Sequence, residues 1–483
     1  AESYPDIHSI SAANQLDKDA CGSSASAWTL ASFLGRVAYN YDSRYLLTVN
    51  FRADGSSRFA LGHRWGTFPS FSAGWVASEE KFMKNLKWDW LSFLKLRGSW
   101  GMLGNERIGS NYFPYIALMS FGNSLFYMAD GSVVSDKTAR PAVLAVEDIT
   151  WETTTSTDLG LDVNFLNNRL QFHFDYYWKE TKDMLLNIEI PYFMGYNNPS
   201  TNAGKMSTHG YDIEVAWNDQ IGDFKYGVNV NFSDFLSKID YMNDGEQISG
   251  GKIKRAGVLF NEFYGYVCEG IYQTQEEVNN SARTSTTVTV GDLKYRDISG
   301  PDGVPDGVIS PEYDRVPLGN SLPRFQYGGS LNASYKGIDF SLAFQGIGKQ
   351  NSYLSTSMVQ PLRDNYGNVP AILEGKYWSP FNTTEENLAA KYPRLSNVSK
   401  SNNYATSNFW MFNGSYFRLK NITLGYTLPK SWTQKAGINR ARFYVSGSDL
   451  FCLSNFPSGW DPEMGTSDYP ITTSLVMGIQ VNF

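Results

Sequence analysis

The sequence predicts an all-β fold, a membrane-spanning antiparallel β-barrel, and three observations lead there. Apolar and polar residues alternate with the side-chain period of a strand, in stretches about as long as a tilted strand needs to cross a bilayer. The 483 residues include 30 Tyr, 30 Phe and 13 Trp but only 18% charged residues, a mixture that suits one lipid face and one aqueous face. The links between stretches are either short turns or long polar excursions (residues 105–150, 240–320 and 350–408). That difference between two rims is the plan of a membrane barrel.

Each strand follows from its own pattern. Phe33, Gly35, Val37 and Tyr39 alternate with Leu34, Arg36 and Ala38, and Asp42 and Ser43 turn the chain. Tyr45, Leu47, Val49 and Phe51 then face away from Arg44, Thr48, Asn50 and Arg52, completing a hairpin. Phe71, Ala73 and Trp75 repeat the theme, as do Leu94, Leu96, Gly98 and Trp100 with Lys95, Arg97 and Ser99 behind them. Leu159 to Phe165 and Leu170 to Trp178 form a hairpin about a tight Asn167-Asn168 turn, with Gln171, His173, Asp175 and Tyr177 on the wet face. Tyr211 to Trp217, Phe224 to Phe232, Phe325 to Tyr335 and Ile338 to Phe344 continue the series. Between Phe417 and Leu428 the apolar set slips by one residue, which predicts a β-bulge. Phe443, Val445 and Gly447 follow. Leu475, Met477, Ile479, Val481 and Phe483 then form the apolar face of a final strand, which resembles the aromatic-ended closing strand of bacterial outer-membrane barrels. The tally is roughly 14 strands.

Composition also excludes. No apolar run is long enough for a transmembrane helix. A net charge of −7 argues against nucleic acid, since phosphate binding wants a basic face. Cys21, Cys268 and Cys452 give neither a disulfide framework nor a metal pattern. No nucleophile elbow, phosphate loop or zinc-protease helix occurs, and His8, His63, His173 and His209 are scattered, so no enzyme, catalytic residue or required cofactor is expected. Residues 1–26 read as a long loop. No signal segment opens the chain, so any secretion signal is expected upstream or already removed.

Longer motifs carry a resemblance. YDSRYLL (41–47), RADGSSRF (52–59), RWGTFPSFSAGW (64–75) with SEE (78–80), and LKLRGSWG (94–101) are similar to segments of the SusC/RagA-type TonB-dependent outer-membrane transporters. So are WET (151–153), YPRL (392–395), YFRLKNITLGY (416–426) and GWDPE (459–463). The resemblance runs from Phe33 to Phe483. It implies that residues 1–483 are the C-terminal part of a TonB-dependent receptor barrel of about 22 strands. The plug domain, the TonB box, the N-terminal domain and the remaining strands would lie outside this sequence.

The function implied is active import across the outer membrane of a nutrient too large for porins, a glycan or an oligopeptide. The implied partners are a SusD-like surface lipoprotein, the TonB complex acting through the plug, and outer-membrane lipid. A passive diffusion pore and a soluble β-rich glycan-binding protein are the alternatives.

Two sites are expected. Asp297, Asp302, Asp306 and Asp314 sit in an acidic turn-rich loop with glycines at Gly303 and Gly307. Hard cations want several oxygens from such a turn, so Ca2+ is the possible metal, and the resemblance implies an EF-hand-like loop before Gly319-Asn320. Pro301, Pro305 and Pro311 interrupt the compact pattern, and a solvated Asp-Gly turn cluster is the competing reading. Trp378, Phe381 and Trp410 lie in aromatic loop clusters whose flat rings suit a sugar or a peptide side chain, or else pack within the loops.

Overall fold

The computed structural model describes residues 27–86, 88–108, 112–117, 119–141, 144–243, 245–362, 368–465 and 469–483. The expected loop at residues 1–26 lies outside the described residues. One antiparallel sheet of 14 strands dominates. Its long strands are β1 (Leu30–Tyr41), β2 (Tyr45–Ser56), β3 (Ser70–Val76), β4 (Leu91–Asn105), β5 (Glu152–Phe165), β6 (Leu170–Asn187) and β7 (Ser200–Ile221). They continue with β8 (Phe224–Met242), β9 (Arg324–Tyr335), β10 (Ile338–Lys349), β11 (Tyr416–Thr427), β12 (Arg440–Ser454) and β13 (Ser474–Asn482). The short strand Trp65–Thr67 adds to β2, and every other strand pairs with its predecessor and successor in this order.

Register keeps the two faces separate across the whole sheet, because a strand's side-chain period is two and a slip would exchange them. One row runs Phe165, Leu170, Trp217, Val228, Leu331, Leu342 and Ile422. The neighbouring row on the other face runs Asp162, His173, Glu214, Asn231, Gly328, Gln345 and Arg418. The expected bulge is present in β11. Phe344 pairs with Leu419 and Ala343 with Asn421, which leaves Lys420 as the extra residue. That extra residue returns Ile422 and Leu424 to the apolar face that Leu419 already occupies.

The two rims differ as the sequence predicts. Links 42–44, 77–90, 166–169, 222–223, 336–337 and 428–439 lie on one, and links 57–69, 106–151, 188–199, 243–323, 350–415 and 455–473 on the other. The hairpin between β5 and β6 turns through Leu166, Asn167 and Asn168, all at positive φ, which asparagine tolerates best. The Asn-Asn reading was right in kind, though the turn is wider than two residues.

Buried cores lie in the long links rather than in the sheet. Tyr266, Leu293, Tyr295, Ile309, Met358, Val359, Leu373 and Trp410 form the largest, joining links 243–323 and 350–415. Phe59, Phe68, Ile108, Ile149 and Trp151 form a second. Many apolar residues of the strands stay exposed, Leu475, Met477 and Ile479 among them. Among the described residues β1 pairs only with β2 and β13 only with β12, so the sheet is an arc with two free edges.

The long links, with the buried cores inside them, form a cap at their rim, and several of its pieces show no clear alternation in the sequence. They are a hairpin of Met119–Tyr127 and Val133–Pro141, a four-stranded sheet from Glu246–Ser249 to Arg315–Asn320, and two short strand pairs.

Candidate functional site

The polar face is the first part of the site. Arg97, on β4, sends Nε to Asp162 Oδ1 (3.1 Å) and Nη2 to Asp175 Oδ2 (2.7 Å), with Asp158 3.9 Å away. His173 Nδ1 lies 3.0 Å from Asp162 Oδ1, so Asp162 serves two partners from neighbouring strands. Beside this cluster a groove of about 670 Å³ opens on the same face, lined by His173, Asp175, Asp212, Glu214, Asn231 and Gln345 among others. Asn229 donates to Glu214 Oε1 at 2.7 Å. The wall thus offers carboxylates and amides in hydrogen-bonded rows, the surface an aqueous lumen requires. The alternation marks the polar face strand by strand but carries no sign of the convergence of β4, β5 and β6 on Arg97.

The motif residues form knots at the rims. Glu80, from SEE, accepts from Tyr45 Oη (2.5 Å), Arg44 Nη1 (2.9 Å) and Trp75 Nε1 (3.2 Å), tying three motif segments at the short-turn rim. Hydrogen bonds from Tyr45 and Trp75, with the Arg44 charge behind them, hold its carboxyl below the ordinary glutamate range. At the opposite rim Trp151 donates to Arg64 O (2.9 Å) and packs on Phe59 and Phe68.

Arg418 is 2% exposed and joins YFRLK to GWDPE. Its Nη2 donates to Asp461 Oδ2 and its Nε reaches Glu463 Oε1, both at 2.6 Å. Lys420, displaced by the bulge, contacts Asp449 at 2.7 Å and Glu463 at 3.4 Å. Burial pushes the Asp461 carboxyl up, but the Arg418 hydrogen bond outweighs it and leaves the group below its usual range.

The cap has a buried ionic centre. Asp292 is fully buried and accepts from Arg394 Nε (2.7 Å), Ser399 Oγ (2.8 Å), Asn403 Nδ2 (2.9 Å) and the Thr289 amide (2.9 Å). Arg394 belongs to YPRL, so this motif fastens one long link to another.

Burial separates the three aromatic candidates. Trp410 is 2% exposed, stacks between Tyr392 and Tyr404, and donates Nε1 to Asn403 O at 2.8 Å, so it is a core ring. Trp378 is also buried, covering Gly291 and donating to Gln273 Oε1 at 3.2 Å. Phe381 is 97% exposed and alone of the three offers its faces to solvent. The rings pack because each loop supplies the other's apolar partner, a fact that no single segment reveals.

The four aspartates of the acidic loop hold separate duties. Asp314, fully buried, accepts from the amides of Ile298, Ser299 and Ser310 (2.7, 3.2 and 2.7 Å). Asp297 Oδ2 accepts from the Gly307 amide (2.7 Å) and Asp306 Oδ1 from the Val308 amide (2.9 Å), while Asp302 is exposed. Among the described residues no three His, Cys, Asp or Glu side chains stand close enough to hold a metal. The loop is therefore organised by backbone amides in this arrangement.

A long-stranded antiparallel arc with one apolar and one hydrogen-bonded polar face, short turns on one rim and a packed cap on the other, is the wall of an outer-membrane β-barrel. The family profile described as TonB dependent receptor-like, β-barrel, matches residues 10–446, and the chain belongs to that family. It is 31% identical over 490 residues to TonB-dependent receptor P3 of Formosa agariphila, covering 94% of this chain and 45% of that protein. It is 30% identical to TonB-dependent receptor SusC of Bacteroides thetaiotaomicron, covering 94% and 44% respectively. A solved structure described as the RagAB peptide transporter shares its fold with a TM-score of 0.74 at 24% identity, over 94% of this chain and 48% of that one. The chain spans about half the length of the relatives it matches.

Proposed function

We propose that this chain is the later part of the barrel of an outer-membrane importer energised through TonB, and that the polar face lines the import path. The observation that carries the reading is the polar row that strand register keeps on one face from Asp162 through His173, Glu214, Asn231 and Gln345 to Arg418, opposite the apolar row from Phe165 to Ile422. A wall of that kind needs water on one side and lipid on the other. The free edges at β1 and β13 cannot stand in lipid, so further strands of the same protein complete the barrel. The substrate class is a glycan or an oligopeptide. SusC is a homologue and the RagAB structure a fold neighbour, and neither decides between the two. A SusD-like surface lipoprotein over the long-link rim is the proposed partner, and the packed cap gives it a rigid platform.

The test is uptake by cells carrying the full-length protein, with and without a functional TonB. Accumulation of glycan or oligopeptide should require both the protein and TonB. Uptake that persists without TonB would make the barrel a passive pore and overturn this reading.

A further inference from the structure

We infer that the short-turn rim between β9 and β13 holds a binding site for an anionic phospholipid of the inner leaflet of the outer membrane. Short turns mark the periplasmic rim of such barrels, so this rim meets the phospholipid leaflet. Two observations converge there. The first is an apolar groove of about 680 Å³ on the outer face, formed by Ile338, Leu424, Tyr426, Phe443, Met477 and Ile479. Ile338, Tyr426, Phe443 and Ile479 are in register across four strands, with Leu424, Val445 and Met477 forming the next row. A groove of this length and polarity accepts an acyl chain.

The second is a cluster of cations at the groove's rim end. Thr427 donates its amide to Gly337 O at 2.7 Å, which sets the Lys336-Gly337 turn against the start of the link 428–439. That link opens with the short helix Lys430–Thr433, which leaves Lys430 exposed and Trp432 64% exposed. Lys435 follows. Lys336, Lys430 and Lys435 make no ion pair among the described residues, and Lys336 lies over the Tyr335 ring at 5.3 Å. The nearby acid, Asp339, is already held by Arg442.

Three unpaired lysines and an exposed tryptophan form the composition that seats a phosphate headgroup at an interface. Charge fixes the sign of the headgroup and the groove fixes its attachment to an acyl chain. The occupant is therefore an anionic phospholipid rather than a free anion. This inference rests on family membership and is independent of what the protein imports.

The test uses the full-length protein extracted in mild detergent and offered equal phosphatidylglycerol and phosphatidylethanolamine with matched acyl chains. Native mass spectrometry counts the lipids retained. Phosphatidylglycerol should be retained with an excess of about fivefold or more, the factor that one basic residue at an anionic surface supplies. The variant Lys336→Gln/Lys430→Gln/Lys435→Gln should lose that preference and keep its heat-resistant mobility on gels, and the triple Arg variant should retain it. Met477→Trp, which fills the groove, should lower retention of both lipids. Equal retention of the two lipids by the natural protein, or a preference unchanged in the triple Gln variant, would overturn the site. Retention of lipopolysaccharide in place of phospholipid would overturn it as well.

Discussion

Arg394 and Asp292 lie 102 residues apart in the chain, yet the Arg394 Nε donates to Asp292 Oδ1 at 2.7 Å where Asp292 has no exposure to solvent. This pair makes two long links into one cap. Removing the cation leaves a buried carboxylate supported only by neutral donors, a change that costs about 3–5 kcal/mol. Arg394→Ala should therefore loosen residues 243–323 and 350–415 together. Hydrogen exchange by mass spectrometry should show both links losing protection while β5 to β8 keep theirs. Loss confined to residues 350–415 would separate the two links and contradict the account.

Trp410 and Phe381 should behave as opposites. Trp410→Ala empties the centre of the cap core and should destabilise it by about 3–5 kcal/mol. Phe381→Ala touches solvent and should change stability by no more than about 0.5 kcal/mol. Denaturant titration of cap fluorescence and protease sensitivity would compare them. Similar losses for both would show that Phe381 is packed.

The Glu80 knot sets a pH dependence at the short-turn rim. Its carboxyl is depressed below the ordinary 4.5, so the stability it contributes is fully present above that value. It is lost as pH falls through the lowered value. Acid titration of thermal unfolding should show the natural protein falling below pH 4.5, with Glu80→Gln less stable at neutral pH and flatter across the same interval. Parallel curves for the two would remove Glu80 as the titrating group.

Charge placement should divide neighbours. Val228 pairs with Trp217 and Leu331 on the apolar face, whereas Asn229 donates to Glu214 on the polar one. Val228→Arg should cost about 2–4 kcal/mol where the position lies near the midplane of the bilayer. Asn229→Arg should be much milder. Refolding titrations of the full-length barrel into lipid vesicles measure both, and equal costs would contradict the assignment of faces.

The strands were legible because a pleat imposes a period of two whatever lies around it. The Lys420 bulge was legible for the same reason, as a break in that period with a single mechanical cause. Motif residues such as Arg418, Glu80 and Arg394 were legible as markers but not as knots. Their partners Asp461, Tyr45 and Asp292 come from distant segments, and local sequence carries no sign of which carboxylate meets which cation. For Trp378 and Trp410 the sequence left a ligand face and packing within the loops both open, since a ring's burial depends on a loop that folds elsewhere. In the acidic loop the aspartates were visible, but the backbone amides that claim Asp314 belong to a conformation and not to a pattern.

The central claim is that the polar face lines water and the apolar face meets lipid. Nitroxide labels placed singly at each position from Leu170 to Trp178, in the full-length protein reconstituted in bilayers, test it most directly. Collision rates with oxygen, which concentrates in lipid, should peak at positions 170, 172, 174, 176 and 178. Collisions with a water-soluble nickel chelate should peak at 171, 173, 175 and 177. The opposite phase, or no alternation at all, would contradict the account.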